Sequence, residues 1–463
     1  MQCLTCILVF SVLHWTTYEA TYVRSAGIGS AASGTNSAVI FPVIKQTVTT
    51  TRPVTEGTHI NYMQNKFSLG SSATGKNSVN FIDFGNGNIR PDSKDGDCRY
   101  FYNEKVTSTN FVTFNTGLGT SVSFYEQRKN LIIEALLQSE ADVLCLNELW
   151  YVEDLIQIQK ALQGNFPHSF SIIHDDAAII MDKHTLAQPP CASVIFRTTM
   201  KCFMTHCNTS RNLTEKAGCF LVTCNASRLL SVECLTCVII SGTHTVNVIE
   251  KCANTSPSRQ FNAFNLPGLA LFSKLPLAHR NRQNLIPNMK RLVSRWVLSA
   301  EVEKVGRIGC THFTALMPFS YVDPVVPPLF SSFEEENLNN TLQILDYFKF
   351  AKQYILMGDF NQSPLRANVT PTFSDNYNVL RANGLSDPYV DNGGLPTFGR
   401  GNPLSIFQDR NLILDHIFHK GFDYISSKRV FDKFIGVKGQ SIPLSDHFGV
   451  SVTLQLKNCT ALP

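Results

Sequence analysis

Short apolar runs that finish in an acid, an amide or an imidazole recur along this 463-residue chain and constrain its fold more than any other feature. Four of them carry Asn115, Glu148, His312 and Asp359 at or beside their ends. Runs of this length, rich in β-branched and aromatic residues, are typical of buried strands. Because active sites of sheet proteins gather at strand ends, the recurrence predicts that these side chains meet at one site.

Helical patterns separate these strands. SFYEQRKNLIIEALLQSE, between the first two runs, has the spacing of an amphipathic helix. Ser332 and Glu335 form a predicted capping box ahead of apolar residues at helical spacing up to Phe348. A strand–helix–strand order that occurs in both halves predicts a core built from sheets and helices.

The chain begins with a predicted targeting signal. The run from Cys6 to Trp15 is apolar and is followed by the small residue Ala20, which predicts a secretory signal peptide over residues 1–20, although Lys and Arg are missing from its start. A buried N-terminal helix is the alternative. Residues 21–107 are rich in Ser, Thr, Gly and Asn, and we expect an extension that is partly ordered or acts as a linker.

Composition favours a globular protein. Hydrophobic residues make up 43% of the chain and charged residues 16%, which argues against disorder. No later stretch reaches the roughly 18 apolar residues of a membrane span. The formal net charge of +4 is too small to indicate a nucleic-acid partner by itself.

Eight of the fourteen cysteines lie between residues 191 and 252, and the same stretch holds three N-glycosylation sequons, with a fourth directly after it at Asn254. This combination predicts a disulfide-rich insert of a secreted glycoprotein. Cys234 and Cys237 form a CxxC pair, so a zinc site is the alternative, which a single CxxC supports weakly. The sequence leaves the disulfide connectivity open.

Two of the strand-end residues are candidate metal ligands. Mg²⁺ prefers carboxylate and amide oxygens, and Asn115 and Glu148 offer these at the first two predicted strands. An isolated Asn after a strand is usually a turn former. Glu148 is the stronger candidate, because a carboxylate that directly follows a buried strand needs a compensating partner.

MGDFNQSP at residues 357–364 is the most specific of the motifs. On an extended chain Asp359 and Asn361 point to one face, where they can hold a nucleophilic water and a phosphate oxygen. The alternative is an Asx-type turn closed by Pro364. Asn361 also begins a sequon, and we expect it to be unglycosylated if it lies in the site.

SDHFGV at residues 445–450 supplies a candidate general base. His447 follows the carboxylate of Asp446, and Asp415 in LILDHIF is suited to orient the imidazole. His312 is a second imidazole for transition-state charge or for protonation of the leaving group. A single His on a strand is more often structural, but two of them in this pattern favour catalysis.

Taken in order, the motifs of residues 111–455 resemble those of the endonuclease/exonuclease/phosphatase superfamily. They are TFNTG, DVLCLNELW, GLALFSKLPL, CTHFTA, ILMGDFNQSP, LDHIF and LSDHFGVSV. The resemblance implies an α+β fold, a four-layer α/β/β/α sandwich of two packed mixed β-sheets over residues 108–457, with the insert at 191–252. It also implies hydrolysis of a phosphoester with Mg²⁺, or else with Mn²⁺ or Ca²⁺.

The resemblance also implies roles for the candidate residues. Metal binding falls to Asn115, Glu148 and Asp446, and base catalysis to His447 paired with Asp415. Asp359 and Asn361 would handle water and phosphate, and His312 would be the second catalytic His, which also binds substrate. The sequence departs from the family pattern in having Asn147 for a common Gln, Ile413 for a common Arg and His416 for a common Tyr.

Within the superfamily the sequence is most similar to the neutral sphingomyelinase-like branch, through FSKLP (272–276), CTHFTA and LSDHFGV. Residues 274–295 hold six Lys or Arg and no acid, so they either contact phosphates of DNA or of membrane headgroups, or form a solvated basic hairpin. A secreted sphingomyelin phosphodiesterase is the preferred hypothesis. A secreted endonuclease and a non-catalytic binding protein are the alternatives, and no obligate protein partner is evident.

Overall fold

The computed structural model describes residues 108–174, 189–209, 213–242, 245–254, 264–287 and 289–456. The predicted signal peptide and the extension at 21–107 lie outside the described residues. So do Cys98, Cys459 and the sequons at Asn212 and Asn458.

The first sheet has six strands. They are β1 (Ser108–Leu118), β2 (Val143–Leu149), β3 (His168–Phe170), β4 (Leu269–Ser273), β12 (Phe422–Val430) and β15 (Gly449–Leu456), in the order β12-β15-β1-β2-β4-β3. β1 and β2 are parallel, because helix α1 (Tyr125–Leu137) carries the chain back between them. The other neighbours in this sheet are antiparallel.

The second sheet has five strands and repeats this arrangement. They are β5 (Leu277–Asn284), β6 (Trp296–Val302), β7 (Gly306–His312), β8 (Tyr354–Asp359) and β11 (Asp415–Lys420), in the order β11-β8-β7-β6-β5. β7 and β8 are parallel, and they are linked through helix α8 (Phe333–Phe348). Four short strands form two separate pairs, β9 (Phe398–Gly399) with β10 (Asn411–Leu412) and β13 (Ile435–Val437) with β14 (Gln440–Ile442).

Three apolar layers confirm the predicted four-layer sandwich. Between the sheets, buried residues such as Leu271 and Val452 of the first sheet meet Ile308 and Met357 of the second. The outer face of the first sheet packs against α1 and α2 (Val152–Leu162). The outer face of the second packs against α8 and α9 (Ser374–Ala382), and α10 (Pro388–Asp391) follows α9. Alternation along each strand places one set of side chains between the sheets and the other beneath the helices.

One disulfide joins the two sheets. Cys145 of β2 and Cys310 of β7 both face the central layer and are bonded to each other. Two hydrogen bonds of Asn147 accompany this link: its Nδ2 donates to the carbonyl of Thr311 across the sheets at 2.6 Å, and its Oδ1 accepts from Thr113 at 3.4 Å. Asn147, the first departure from the family pattern, therefore holds the sheets in register.

The insert is a group of short helices held by four disulfides. The bonded pairs are Cys191–Cys234, Cys202–Cys224, Cys207–Cys219 and Cys237–Cys252. The helices are α3 (Val194–Cys202), α4 (Leu213–Gly218), α5 (Ala226–Leu229), α6 (Val232–Ser241) and α7 (Thr245–Val248). Both members of the CxxC motif are bonded to other cysteines, so the zinc alternative is wrong.

Helix α8 begins where the capping box was predicted. The Oγ of Ser332 accepts from the N–H of Glu335 at 3.1 Å. The carboxylate of Glu335 reaches back to the N–H and hydroxyl of Ser331, each at 2.7 Å, rather than to the N–H of Ser332. Within the described ranges, no helix is long and apolar enough to cross a membrane.

Candidate active site

Topology brings the candidate residues to one edge of the sandwich. The parallel strands β1, β2, β7 and β8 carry Asn115, Glu148, His312 and Asp359 at or near their ends. In the second sheet Asp359 is the register partner of both His312 and Asp415. Because β11 and β15 run antiparallel to their neighbours, they begin at this edge, where Asp415 opens β11 and His447 precedes β15. The structure therefore brings all eight predicted site residues to this edge.

Asn115 links the two sheets. It is fully buried, and its Nδ2 donates to Glu148 Oε1 at 3.2 Å and to Asp359 Oδ2 at 2.9 Å. Its Oδ1 accepts from the N–H of Gly117 at 3.0 Å. One amide thus fixes the distance between an acid of the first sheet and an acid of the second.

Glu148 and Asp446 form a pair of acids on the side of the first sheet. Burial raises the pKa of Glu148, and the negative charge of Asp446 raises it further. Gly117, at a φ of +52°, lets Asp446 approach, because a Cβ on Gly117 would collide with the Asp446 carboxylate. Arg128 fixes this loop by donating to the carbonyls of Gly117 and Leu444, at 2.6 and 3.0 Å. A carboxylate close enough to raise the pKa of Glu148 forms with it a place where positive charge is stabilised.

The donors present fit a hard divalent cation. Carboxylates of Glu148 and Asp446, with the amide of Asn115 beside them, are the oxygen donors that Mg²⁺ and Ca²⁺ take. A second group, Asp359, Asp415 and His447, has candidate ligand atoms within 4.8 Å of one another. In that group a hydrogen bond already joins His447 Nδ1 to Asp415 Oδ2, so part of its ligand capacity is used within the protein.

Asp359 and Asn361 face the site through a turn. We expected an extended chain to present both on one face; this is wrong, because β8 ends at Asp359 and Asn361 has a left-handed φ of +53°. Asp359 Oδ1 accepts from the N–H of Asn361 at 2.9 Å, which is the Asx-type turn considered as the alternative. Asn361 Nδ2 donates to the carbonyl of Phe313 at 3.1 Å. Both residues line the cavity that contains the site.

His447 and Asp415 form a buried dyad. His447 Nδ1 lies 2.9 Å from Asp415 Oδ2, and His447 Nε2 lies 3.8 Å from Asp359 Oδ2. Burial alone would lower the pKa of His447, but the carboxylates of Asp415 and Asp359 outweigh it and raise the pKa to about 10. Burial raises the pKa of Asp359 to about 7. The dyad therefore orients Nε2 toward Asp359, and the carboxylates around His447 favour its protonated form.

His312 has the opposite electrostatic environment. Its Nε2 lies 3.4 Å from Asp359 Oδ2. Burial, and then the charges of Arg295 and His447, hold the pKa of His312 well below its ordinary value. A neutral His312 next to a strongly basic His447 gives the two imidazoles different protonation states at neutral pH.

Arg295 is a site residue that sequence reasoning missed. It is 3% exposed, lines the same cavity, and has no partner among the described residues for its Nε and Nη1. We had counted it in the basic stretch 274–295. Because Val297 pairs with Thr311, Arg295 lies beside the end of β7, next to His312. That strand pairing is the signal which could have separated it from the other cations.

The rest of the basic stretch is not a uniform solvated hairpin. Arg291 is buried and donates to Asp323 at 2.8 Å and to Glu336 at 3.1 Å. Lys290 donates to the carbonyl of Arg228 in the insert at 2.8 Å. These cations bind parts of the protein itself, so the segment does not present a continuous basic surface.

His416, a departure from the family pattern, is a structural residue. It is fully buried, with Nδ1 2.7 Å from Asp387 Oδ2 and Nε2 2.8 Å from the carbonyl of Gln362. Burial lowers the pKa of His416, but Asp387 more than reverses this. Ile413, the other departure in this motif, is buried between the sheets. Neither residue lines the cavity that contains the site.

A model of the Endonuclease/Exonuclease/phosphatase family matches residues 112–447. The chain belongs to this family. Members of this family hydrolyse phosphoester bonds and generally use divalent metals. The chain is therefore a phosphoesterase or nuclease of this family. No curated protein sequence matches this chain.

Solved structures of low sequence identity are similar to this chain. An endonuclease/exonuclease/phosphatase from Beutenbergia cavernae is 15% identical, with 75% of this chain and 72% of that chain covered and a TM-score of 0.41. A family protein from Bacteroides thetaiotaomicron is 14% identical, with 77% and 100% covered and a TM-score of 0.43. Sphingomyelinase C from Streptomyces griseocarneus is 14% identical, with 75% and 99% covered and a TM-score of 0.39.

Proposed function

We propose that this chain is a secreted, Mg²⁺-dependent phosphodiesterase in which His447 activates water for attack on phosphorus. The observation that carries the proposal is the Asp415–His447 dyad directed at Asp359, beside the acids Glu148 and Asp446. A base, oxygen donors for a metal and a buried cation within one cavity are what phosphoester hydrolysis requires. The five disulfides of the described residues support secretion.

Each residue of the site has a separate catalytic role that follows from its charge and position. Asp415 holds the His447 imidazole so that Nε2 can take a proton from water. Asp359 and Asn361 position that water and a phosphate oxygen. His312 donates a hydrogen bond to the leaving oxygen. A divalent cation on Asn115, Glu148 and Asp446 would offset the carboxylate charge, bring the pKa of His447 down toward neutrality and neutralise a phosphate oxygen.

Arg295 adds fixed positive charge to this site. A buried guanidinium with unpartnered N–H groups is a ready donor to an anionic oxygen. Its charge favours a phosphate over a neutral ester. We assign it to the non-bridging oxygens of the phosphodiester, where charge is held in the transition state.

We favour a phospholipid headgroup of the sphingomyelin type as the substrate. FSKLP, CTHFTA and LSDHFGV support this choice by resemblance. The cations of 274–295 give less support to a nuclease, because Arg291 and Lys290 bind other parts of the chain. A non-catalytic binding protein is disfavoured, because all eight predicted site residues lie at one edge of the sandwich.

The test uses purified mature protein with three substrates: bis-p-nitrophenyl phosphate, sphingomyelin vesicles and supercoiled plasmid. Each is assayed with Mg²⁺, Mn²⁺ or Ca²⁺ and with EDTA. We expect metal-dependent hydrolysis of the generic diester and choline phosphate release from sphingomyelin. Plasmid nicking without lipid hydrolysis would replace the lipid assignment by a nuclease, and no hydrolysis of any substrate would overturn the enzyme proposal.

A further inference from the structure

The catalytic groups lie at the polar end of a largely apolar cavity. The cavity has a volume of about 320 Å³, within the range of small-molecule sites. Glu148, His312, Asp359 and His447 line one part of it. Much of the rest is lined by apolar side chains of the cysteine-rich insert, among them Phe203, Phe220, Leu221, Val238 and Ile239.

The insert is fixed to the loop that follows the first catalytic strand. The N–H of Ser121 donates to the carbonyl of Ile240 at 3.2 Å, and Thr120 Oγ1 donates to the carbonyl of Ser241 at 3.2 Å. Tyr151, just after β2, places its hydroxyl 3.1 Å from the Ser241 hydroxyl. The end of helix α6 is thereby anchored within a few residues of both Asn115 and Glu148. These contacts place the apolar wall directly beside the site.

The cavity walls contain little charge apart from the catalytic groups. Apart from the predicted site residues and Arg295, the charged residues that line them are Lys216 and Arg410, and Arg410 lies over the ring of Phe407. A nucleic acid would leave neighbouring phosphates against apolar side chains, without the row of cations that phosphate contacts need. A hydrocarbon chain would replace water against these walls, which is favourable in proportion to the apolar area covered.

We propose that the insert is the binding site for a hydrocarbon chain of the substrate, which places a lipid phosphodiester with its chain inside the protein and its phosphorus at His447. This inference rests on the proposed phosphodiesterase function. It gives a substrate-binding role to the insert, which supplies none of the catalytic residues. The substrate is then taken as a single lipid drawn out of a membrane or micelle, rather than as a headgroup reached at the membrane surface.

The test is a series of p-nitrophenyl phosphodiesters whose second ester group is methyl, butyl, octyl or dodecyl, each assayed below its micelle concentration. We expect kcat/KM to rise about two- to fourfold for each methylene until the cavity is filled. Equal kcat/KM across the series, with the methyl ester hydrolysed, would overturn the chain site and leave the phosphodiesterase standing. If no ester is hydrolysed, the proposed function fails, and titration with dodecylphosphocholine decides the chain site by itself.

A pair of variants locates the effect. Ile239→Trp fills the cavity, and we expect the dodecyl-to-methyl ratio of kcat/KM to fall tenfold or more, with dodecylphosphocholine binding weakened alike. Val246→Trp is the matched control, because Val246 belongs to the same insert but is exposed and outside the cavity lining. The proposal would be contradicted if the dodecyl-to-methyl ratio of kcat/KM were unchanged in folded Ile239→Trp, or if it fell equally in Val246→Trp. Either result would mean that the hydrocarbon chain of the substrate binds elsewhere.

Discussion

The sandwich and the insert are stabilised by different means. The sandwich has eleven strands in its two sheets, three apolar layers and one described disulfide, Cys145–Cys310. The insert has helices of four to ten residues and four disulfides. Short helices are marginal in water, and a small unit buries too little apolar surface to hold them. Disulfides therefore stabilise the insert, whereas strand pairing and apolar packing stabilise the sandwich.

The two regions also differ in their proposed roles, because the sandwich holds the catalytic residues and the insert lines the site for the substrate chain. The eight predicted site residues and Arg295 belong to the sandwich and its loops, and the cavity lining from the insert is mainly apolar. A sheet edge can hold acids and imidazoles at fixed distances, because each belongs to a strand that its neighbours hold in register. The predictions below test how far the two regions are independent.

The largest expected effect is on turnover alone. His447→Ala and Glu148→Ala should each lower kcat/KM for bis-p-nitrophenyl phosphate by about 10²–10⁴-fold, since each removes a group that acts on the reacting atoms. His279→Ala is the matched control, because His279 is exposed on β5. Secretion and thermal unfolding of the variants should match the parent protein. Activity above a tenth of the parent value in either variant would contradict the assigned role.

Arg295→Met should come next, with a loss of about 10²–10³-fold in kcat/KM, typical of removing one fixed donor to transition-state charge. Arg295 has unpartnered nitrogens, so we expect the melting temperature to hold or rise, because a buried cation is costly to desolvate. Arg280→Met, on the exposed face of β5, is the control. A lowered melting temperature with unchanged kcat/KM would make Arg295 structural.

The fold followed from the sequence because its signals are local. Buried strands such as QYILM, the helix that begins after Ser332, and the polar strand ends all rest on periodicity and capping, which depend on near neighbours. Their order along the chain resembled one family closely enough to imply the two sheets. The whole described sandwich, from β1 to β15, could be predicted in outline.

The missed parts of the site depend on distant contacts. Arg295 became part of the site only because β6 pairs with β7, which no local pattern of KRLVSR shows. The turn at Asn361 was not predicted, because β8 ends at Asp359, two residues before Asn361, and not at Asn361 itself. The pairing of eight cysteines and the apolar cavity beneath them likewise follow from packing in three dimensions.

Removing one insert disulfide should have a smaller and local effect. Cys237→Ala with Cys252→Ala opens a loop of separation 15, which the chain-entropy account values at about 3 kcal/mol. We expect amide exchange to accelerate across α6 and α7 while β1, β8 and β15 keep their protection. Equal loss of protection in those strands would show that insert and sandwich unfold as one unit, and would end the comparison drawn above.

The smallest effects come from matched helix caps in the two regions. Ser231 caps α6 in the insert by accepting from the N–H of Cys234 at 3.2 Å, and Ser332 caps α8 in the sandwich in the same way. Ser231→Ala and Ser332→Ala should each cost about 1 kcal/mol in the free energy of unfolding. If the regions are independent, Ser332→Ala lowers the sandwich transition in a denaturant titration and Ser231→Ala lowers only the exchange protection of α6. The two serines have the same cap geometry, so a difference in which region responds reports the coupling between insert and sandwich. If Ser231→Ala shifts the sandwich transition as much as Ser332→Ala does, the disulfides of the insert stabilise the whole protein rather than the insert alone.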